Sequence, residues 1–491
     1  MQAKPVLVVG AGPTGLLLAL WLRRLGAPVR IIDKDAGPGE TSRAMVVQAR
    51  TLEFYRQLGF ADEVVGQGLK VERLALRRAG RLRGAVPFGD FGAGISHFPF
   101  ALSFPQDEHE QQLLRQLDAA GLAVDRRTEL TGFTETAAGV EATLKGPGGD
   151  EVFAASYIAG CDGARSTVRG VCGIDLPGGT YARRFYVADA AVEGDAASDS
   201  LNVCTSGPDF CLVIPLRRPG MARLIGIVPS DTGEATKFDD VADAVRRNTN
   251  LAVKKVNWFS TYHVHHRVAA RFRQGRAFLL GDAAHLHSPV GGQGMNTGLG
   301  DATNLAWKLA AVLDGRAAPA VLDSYEPERI GFARRLVRTT DRMFQLVTNR
   351  GLLGRAWRTA MPYVIPALFR APGAPRRGYR LISQTDIRYR RGPISQGRAG
   401  RVCGGDRLPW LQDVDNYASL TALDWQVHAF GDGPEPQLSV PFHRFAWSDA
   451  ARRKGFAPGA LYLVRPDGYV ACAGEAASVR AYLERWGFKP R

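Results

Sequence analysis

Short apolar runs recur along this chain, each closed by glycine or an acid and followed by a longer apolar or amphipathic stretch. Val6–Val9 reads as a buried strand, Leu16–Leu25 as a largely apolar helix that Gly26 ends, and Val29–Ile32 as a second strand closed by Asp33. An amphipathic helix follows within 41–59. From Glu72 to Leu102 the pattern alternates like β-structure, and Glu108–Ala119 returns to helical spacing after Pro105. Val140–Leu144 and Glu151–Ile158 form a hairpin around Gly146–Gly149, and its second arm runs into Cys161-Asp162-Gly163. Residues 180–269 alternate again, with one helical patch at Val241–Arg247. Ala277–Leu280 is a further buried strand, ended by Gly281-Asp282. A loop with Pro289, Gly291, Gly292 and Gly294 separates it from a helix reaching Leu313. A second helix is expected over Val321–Gln345. Past a Pro/Arg-rich stretch the pattern tightens once more: strand Leu461–Arg465, turn 466–468, strand Tyr469–Cys472, helix Ser478–Trp486. The order predicts α/β architecture with a β-rich middle and a small α/β unit at the end.

Composition changes this picture at three points. A chain of 491 residues with 45% apolar content has room for two or three globular domains. Residues 5–22 are uncharged and reach the lower limit of a membrane span, yet three glycines and a proline cluster there and no cleavage site follows. A strand, a tight turn and a buried helix is the reading they support. The net charge of +15 is concentrated: residues 331–401 hold 16 arginines, no lysine, and only Asp341 and Asp386, which makes +14 in that segment. A solvated helical face with some inter-domain pairs accounts for it. No nucleic-acid recognition motif accompanies it, and any peripheral membrane contact would use this segment. The six cysteines show no C-x-x-C and no metal spacing, and His263, His265 and His266 have no carboxylate or thiol to complete a site. We expect no metal, buried reduced thiols, a cytoplasmic setting, and a monomer or homodimer.

The chemistry sits in two glycine-rich stretches. Gly10-Ala11-Gly12-Pro13-Thr14-Gly15 lies between strand and helix, with Asp33 ending the next strand 18 residues after Gly15. That is a dinucleotide fingerprint in its βαβ setting: a tight turn, a gap for pyrophosphate, close helix packing, and a carboxylate for ribose. It fits FAD or NAD and does not choose. The second stretch, 276–300, puts Asp282 at a strand end and leaves helix-start N–H groups at Gly294–Asn296 open to an anion or an electron-rich ring edge. Arg43 precedes a helix and could reach a pyrophosphate; Arg50 could do the same or pair with Glu53.

Gly10–Gly15, the Cys161-Asp162-Gly163 strand end, Gly281-Asp282 followed by Pro289, and Tyr325-Glu326-Pro327-Glu328-Arg329 occur together and in order. That set resembles the class A FAD-dependent aromatic hydroxylases, single-component flavoprotein monooxygenases, over residues 4–345. Residues 400–491 resemble the thioredoxin-like C-terminal domain of the phenol hydroxylase and aromatic polyketide hydroxylase branch, without its redox C-x-x-C. The resemblance implies a Rossmann-like FAD-binding domain (1–70, 103–179 and 270–345), an inserted β-sheet substrate domain (71–102 and 180–269), an Arg/Pro-rich helical connector (346–399) and the thioredoxin-like domain (400–491). Gly10, Gly12, Pro13, Thr14, Gly15, Asp33 and Lys34 would hold the ADP half of FAD. Arg43 and Gln106 would serve its pyrophosphate, and Asp162 both FAD and the nicotinamide cofactor. Gly281 and Asp282 would bind the ribityl chain, while Gly294, Met295 and Asn296 line the isoalloxazine. Pro289, Gly291 and Gly292 would border the site of oxidation. Asp33 stands where glutamate is usual in the family.

The implied reaction hydroxylates an electron-rich aromatic (phenol, quinone or polyketide-like), with NADPH or NADH and O₂ as co-substrates, FAD bound non-covalently, and a C4a-hydroperoxyflavin as oxidant. No side chain stands out as a base; His285, within the motif, reads as structural. The rivals are an FAD-dependent dehydrogenase or reductase without oxygenation, a non-enzymatic flavoprotein scaffold, and an antibiotic-modifying hydroxylase.

Overall fold

Val6–Val9 is buried along its whole length, as an unbroken apolar run demands of a strand covered on both faces. The computed structural model describes residues 4–39, 44–88, 91–197, 200–206, 209–229, 237–288, 290–348 and 351–489. Parallel neighbours flank the first strand: Tyr157–Gly160, with Val6 opposite Tyr157, and Val29–Ile32, with Val6 opposite Val29. Ala277–Leu279 and Val124–Asp125 extend the sheet in parallel on either side, and Arg273–Gln274 closes one edge antiparallel. Strands from distant parts of the chain therefore end side by side. Gly10, Asp33, Asp162 and Asp282 all follow their carboxyl ends. That edge is where open parallel sheets take ligands.

The helix Pro13–Arg24 is buried from Gly15 to Leu22 and packs against the long helix Gly294–Leu313. Their approach is close because residue 298 is glycine: a Cβ there would lie 2.3 Å from Thr14 Oγ1. A three-stranded antiparallel sheet, Glu129–Thr136, Gly139–Gly146 and Gly149–Ala155, lies beyond.

The β-rich middle forms one eight-stranded sheet. Its order is His285–Leu286, Ala252–Val268, Gly178–Glu193, Met221–Ile227, Asp209–Pro215, Leu201–Ser206, Arg73–Arg78 and Arg81–Pro87. The early hairpin 73–87 thus joins strands more than a hundred residues later, through the parallel pair Leu74–Leu201. Alternation divides the two faces. Tyr186, Ala188, Ala190 and Leu224 share a core with Val241 and Val245 of the helix Asp239–Thr249. Val187, Ile214 and Ile225 instead pack with Met45 and Val46.

The helix expected from Val321 begins as a 3₁₀ turn, Pro319–Ser324, and becomes α-helical at Tyr325–Thr348. Pro327 falls in the first α-turn, where its missing N–H costs nothing. Helices Leu352–Phe369 and Ala374–Ile382 follow. The last sheet runs Val402–Cys403, Gln396–Ala399, Val470–Gly474, Leu461–Val464, Gln426–Phe430, Phe442–Phe445. Gln426–Phe430 is parallel to Phe442–Phe445 and antiparallel to Leu461–Val464, and the helix Ala476–Trp486 ends the element order. All six cysteines are free thiols. Among the described residues, no helix is long and apolar enough to cross a membrane.

Candidate active site

The three glycines of the first turn meet different demands. Gly10 has φ +99, and a Cβ on it would stand 2.4 Å from Cys161 O; a Cβ on Gly15 would stand 1.9 Å from Gly10 O. Both are required by the protein's own backbone. Gly12 is not: a Cβ there would meet nothing within 4 Å. It faces a pocket of about 180 Å³ lined by Gly10, Asp33, Lys34, Asp162 and Thr167 among others. Gly12 also caps the helix Pro13–Arg24 without any side-chain cap, so first-turn N–H groups face outward for an anion.

Two carboxylates border this pocket. Asp33 accepts from Ala11 N at 2.6 Å with one oxygen and from Asp35 N at 2.8 Å with the other, which holds it beside the turn with lone pairs to spare. Asp162 accepts from Val168 N at 3.1 Å, while its buried Oδ1 has no hydrogen-bond partner. Burial pushes the Asp162 carboxyl above its usual range. An open cradle, outward N–H groups and an orphaned carboxylate oxygen fit the diphosphate and ribose of a dinucleotide.

The second glycine stretch is braced from behind. Gly281 (φ +57) opens a 3₁₀ turn that carries Asp282, exposed, at the strand end. Gly281 N donates to Asp301 Oδ2 at 3.1 Å, His285 Nε2 bonds the same oxygen at 2.7 Å, and Arg329 Nε donates to Asp301 Oδ1 at 2.6 Å. Burial alone would raise the Asp301 carboxyl; Arg329 and His285 outweigh it and hold it below the usual range. His285 is therefore structural, as expected. His287 stacks on it, ring centroids 5.6 Å apart, and burial with His285 beside it lowers its pKa to about 3. Neutral at working pH, it lies against Gly294.

Gly291 (φ +79) and Gly292 (φ +60) turn the chain into the helix at Gly294, again with no side-chain cap. The turn is held by glutamines. Gln293 Nε2 donates to Gly291 O at 3.0 Å and to Ile382 O at 2.8 Å; Gln384 Nε2 donates to Gln293 Oε1 at 2.8 Å; Gln48 Nε2 donates to Gly291 O at 3.1 Å. Asn296 is saturated: it accepts from Gln48 N and Thr51 Oγ1 and donates to Val46 O and Gly292 O, each at 2.8 Å. Its side chain pins the loop, and only its backbone is left for a ligand. Met295 Sδ lies 3.1 Å from Nδ1 of His109, a ring that burial takes down to about 3 and whose other nitrogen meets Tyr55 OH.

Gly10, Gly12, Asp33, Lys34 and Asp162 thus surround one pocket. Thr14, Gly281 and Gly298 meet at the crossing of the two helices. Gln106 bonds Ala44 N at 3.3 Å and Glu110 at 2.9 Å, beside the chain that enters from residue 43. Arg43 and Pro289 lie outside the described residues. Arg50 proves structural: buried, it pairs with Glu53 at 2.7 Å and donates to Asp467 O at 2.6 Å. The bracing groups Gln293, Gln384, Asp301 and Arg329 were missed from sequence, although Arg329 closes the Tyr-Glu-Pro-Glu-Arg run.

An apolar cluster packs against the braced loop. Val46 would meet a Cβ on Gly292 at 2.9 Å and belongs to the cluster of Met45, Val187, Ile214, Ile225, Trp258 and Tyr262. A dinucleotide turn with its carboxylates at the carboxyl ends of a parallel sheet points to an α/β redox flavoprotein or nicotinamide enzyme. The family model described as "FAD binding domain" matches residues 3–340. The 6-methylpretetramide 4-monooxygenase of Streptomyces rimosus is 33% identical, over 98% of this chain and 92% of that protein. OxyS anhydrotetracycline hydroxylase from Streptomyces rimosus is similar in structure with TM-score 0.79, 27% identity and 100% of each chain covered. Diels-Alderase PyrE3 of pyrroindomycin biosynthesis gives TM-score 0.80, 27% identity and the same 100% coverage. The chain belongs to the FAD-dependent aromatic hydroxylases, the single-component flavoprotein monooxygenases.

Proposed function

We propose that this monooxygenase hydroxylates a bulky polycyclic or long-tailed phenol or quinone, with NADPH or NADH and O₂ and with non-covalent FAD. The observation that carries the reading is the apolar cluster of Met45, Val46, Val187, Ile214, Ile225, Trp258 and Tyr262, which packs against the glycine loop through Val46 and Gly292. Similarity to a 6-methylpretetramide monooxygenase and an anhydrotetracycline hydroxylase supports a polycyclic ring system. An antibiotic as substrate fits the same reading. Six free thiols suit a reducing, cytoplasmic setting.

When bound, FAD supplies the redox chemistry, passing electrons from the reductant to O₂ and one oxygen atom to the aromatic ring. The chain's part is binding, orientation and exclusion of water. In this reading the Gly10–Gly15 turn, Asp33, Lys34 and Asp162 hold the ADP half; Arg43 and Gln106 serve the pyrophosphate; Asp282 accepts from ribityl hydroxyls. Backbone N–H groups from Gly291 to Asn296 would offer donors to the electron-rich end of the flavin ring, and Pro289 would border the substrate. Apolar side chains near the glycine loop would keep water from the reacting centre.

The domain division follows the same lines. Hairpin 73–87 pairs into the eight-stranded sheet, which supports 71–102 and 180–269 as one inserted substrate unit between the pieces 1–70, 103–179 and 270–345. Of the expected connector 346–399, the helices Leu352–Phe369 and Ala374–Ile382 fit that role, whereas Gln396–Ala399 pairs as a strand with Val470–Gly474 and belongs with the last sheet. In 400–491 the sheet order Phe442–Phe445, Gln426–Phe430, Leu461–Val464, Val470–Gly474, with its one parallel pair and closing helix, supports a thioredoxin-like unit. Without a C-x-x-C it carries no thiol–disulfide exchange.

A panel of phenols, naphthoquinones and tetracyclic polyketides, scored by stimulated NAD(P)H oxidation and by ¹⁸O from ¹⁸O₂ in the product, tests the proposal. The likeness to a Diels-Alderase favours the alternative of a flavoprotein that does not oxygenate. Stimulation with no ¹⁸O in any product would decide for that alternative.

A further inference from the structure

The arginine-rich segment is not spent evenly. Arg390 and Arg388 pair with Asp406, at 2.6 and 3.7 Å, and fasten the segment to the last unit. Arg376, Arg377 and Arg380, on the helix Ala374–Ile382, instead line a cleft of about 940 Å³ whose other wall carries Arg453 and Lys454. None of these five cations is in an ion pair among the described residues. Arg376 Nη2 donates to Ala93 O at 3.0 Å, and Lys454 Nζ donates to Gly94 O. Two carboxylates also line the cleft, Asp413 and Asp449, and Asp449 is taken by Arg452 at 3.0 Å. Burial, then Arg407, Arg380 and Arg376, bring the Lys454 amine down to about 8; burial, then Arg376, Arg388 and Arg407, lower Arg380. Like charges held this close raise the energy of the fold, and a bound anion relieves it.

The shape of the cleft selects the anion. It draws its cations from two separate elements, the helix Ala374–Ile382 and the segment of Arg453 and Lys454, which suits a compact anion held between them. Its volume is that of a small-molecule site. Trp410 and Leu411 also line it, and the indole N–H is already given to Asp415 at 3.2 Å. The guanidinium groups match phosphate oxygens two at a time. Gly373, with φ +77, brings the start of the nine-residue helix Ala374–Ile382 to the same cleft. We propose that this cleft binds a nucleotide with two or more phosphate groups, the phosphates on the arginines and the base on the apolar part of the lining.

The nucleotide can be the nicotinamide reductant, whose adenosine end carries this chemistry, or a separate one. The site stands on its own geometry and does not depend on which aromatic is hydroxylated. The far end of the same helix touches the glycine loop, where Gln293 Nε2 donates to Ile382 O at 2.8 Å.

Calorimetric titration of the FAD-loaded enzyme with inorganic pyrophosphate and with ADP tests it. The double variant Arg377→Gln/Arg453→Gln removes one charge from each wall and no hydrogen bond made by either side chain. Saturable binding to the native enzyme, weakened at least about tenfold in the double variant at a Tm no lower than the native one and at unchanged flavin content, is the expected result. A raised KM for NADPH at unchanged kcat then identifies the reductant as occupant; an unchanged KM identifies a separate nucleotide. No binding to the native enzyme, equal binding to the variant, or tighter binding of a single-stranded oligonucleotide than of ADP would overturn the proposal.

Discussion

Arg329 donates to Asp301 in complete burial, and through that one carboxylate the helix Tyr325–Thr348 controls where the strand end at Gly281 sits. Arg329 also reaches Tyr389 OH at 2.8 Å and Thr297 O at 3.0 Å, so a single guanidinium joins three elements. Removing one partner of a buried pair strands the other. Arg329→Met is therefore expected to cost about 3–5 kcal/mol in denaturant unfolding. Arg338→Met, on the exposed side of the same helix, should change stability by less than about 0.5 kcal/mol. Equal costs for the two variants would remove Arg329 from this role.

The two glycines Gly12 and Gly15 separate binding from folding. Gly12 has φ −74 and open space around it, so alanine fits without strain. Gly12→Ala is expected to leave the apoprotein's melting curve unchanged and to weaken FAD at least about tenfold, because the methyl group occupies the diphosphate's place. Gly15→Ala should fail to fold, since its Cβ would stand 1.9 Å from Gly10 O. Flavin content of the purified proteins and equilibrium titration of the apo form read out both. A Gly12→Ala protein with native FAD affinity would exclude that turn as the diphosphate site.

Asp282 is the corresponding test at the other end of the cofactor. It stands exposed at a strand end, so Asp282→Ala should fold normally. A charge-assisted hydrogen bond to a ribityl hydroxyl is worth roughly 1.5–3 kcal/mol, about ten- to a hundredfold in FAD affinity. Full flavin retention would take Asp282 out of the site.

What could be read from the sequence was what is local. Val6–Val9, the Gly10–Gly15 turn and Asp33 follow from run length and turn chemistry, and the structure keeps them in place. Alternation over 180–269 predicted strands but not their neighbours: that Arg73–Arg78 pairs beside Leu201–Ser206 depends on contacts far apart in the chain. The resemblance places Asn296 at the flavin, and the helix start offers its backbone N–H; its side chain is used otherwise. Its four internal hydrogen bonds involve Gln48, Thr51, Val46 and Gly292, three of them some 250 residues earlier, and no spacing rule encodes such a partnership. Arg50 was ambiguous for the same reason. Glu53, three residues on, was visible; Asp467 and Arg407 were not.

Acid should loosen the joint between the C-terminal unit and the rest. Glu328 is buried with Arg465 at 2.8 Å and Lys308 at 2.9 Å. Burial alone would raise its pKa; Arg465 and then Lys308 reverse that and bring it to about 2, against an ordinary 4.5. A carboxyl depressed by folding contributes stability in full above its unfolded pKa, and the contribution is lost as pH falls through the folded value. The melting temperature is thus expected to drop between pH 4.5 and 2. Glu328→Gln should start from a lower Tm at neutral pH and fall less steeply over that interval. Parallel acid limbs for the two proteins would show that another carboxylate governs the loss.

The glutamine brace bears on how reduction is controlled. This chain has one dinucleotide fingerprint, occupied by FAD in our reading, so NAD(P)H meets the flavin without a second such turn to hold its nicotinamide in place. An enzyme that reduced its flavin without substrate would waste reductant on peroxide. Control requires the loop at the flavin to have two positions, and Gly291 and Gly292, both at positive φ, supply the backbone freedom. Gln293 restrains them through Ile382 O and Gln384. Substrate bound on the Val46 side would shift that balance, since Val46 packs against Gly292 and its carbonyl accepts from Asn296. Flavin reduction is expected to be at least ~10-fold faster with the true substrate, about 1.4 kcal/mol of barrier. Gln384→Ala removes the donor shared by Gln293 Oε1 at 2.8 Å, Thr297 Oγ1 at 3.1 Å and Gln293 O at 3.4 Å. With about 1 kcal/mol or more lost from the restrained position, reduction without substrate should quicken and the substrate effect shrink by at least roughly fivefold. Stopped-flow flavin absorbance, with and without substrate, measures both ratios. Equal reduction rates in the native enzyme for a compound that is hydroxylated would end the gating idea. An undiminished substrate effect in Gln384→Ala would place the control elsewhere than in this loop.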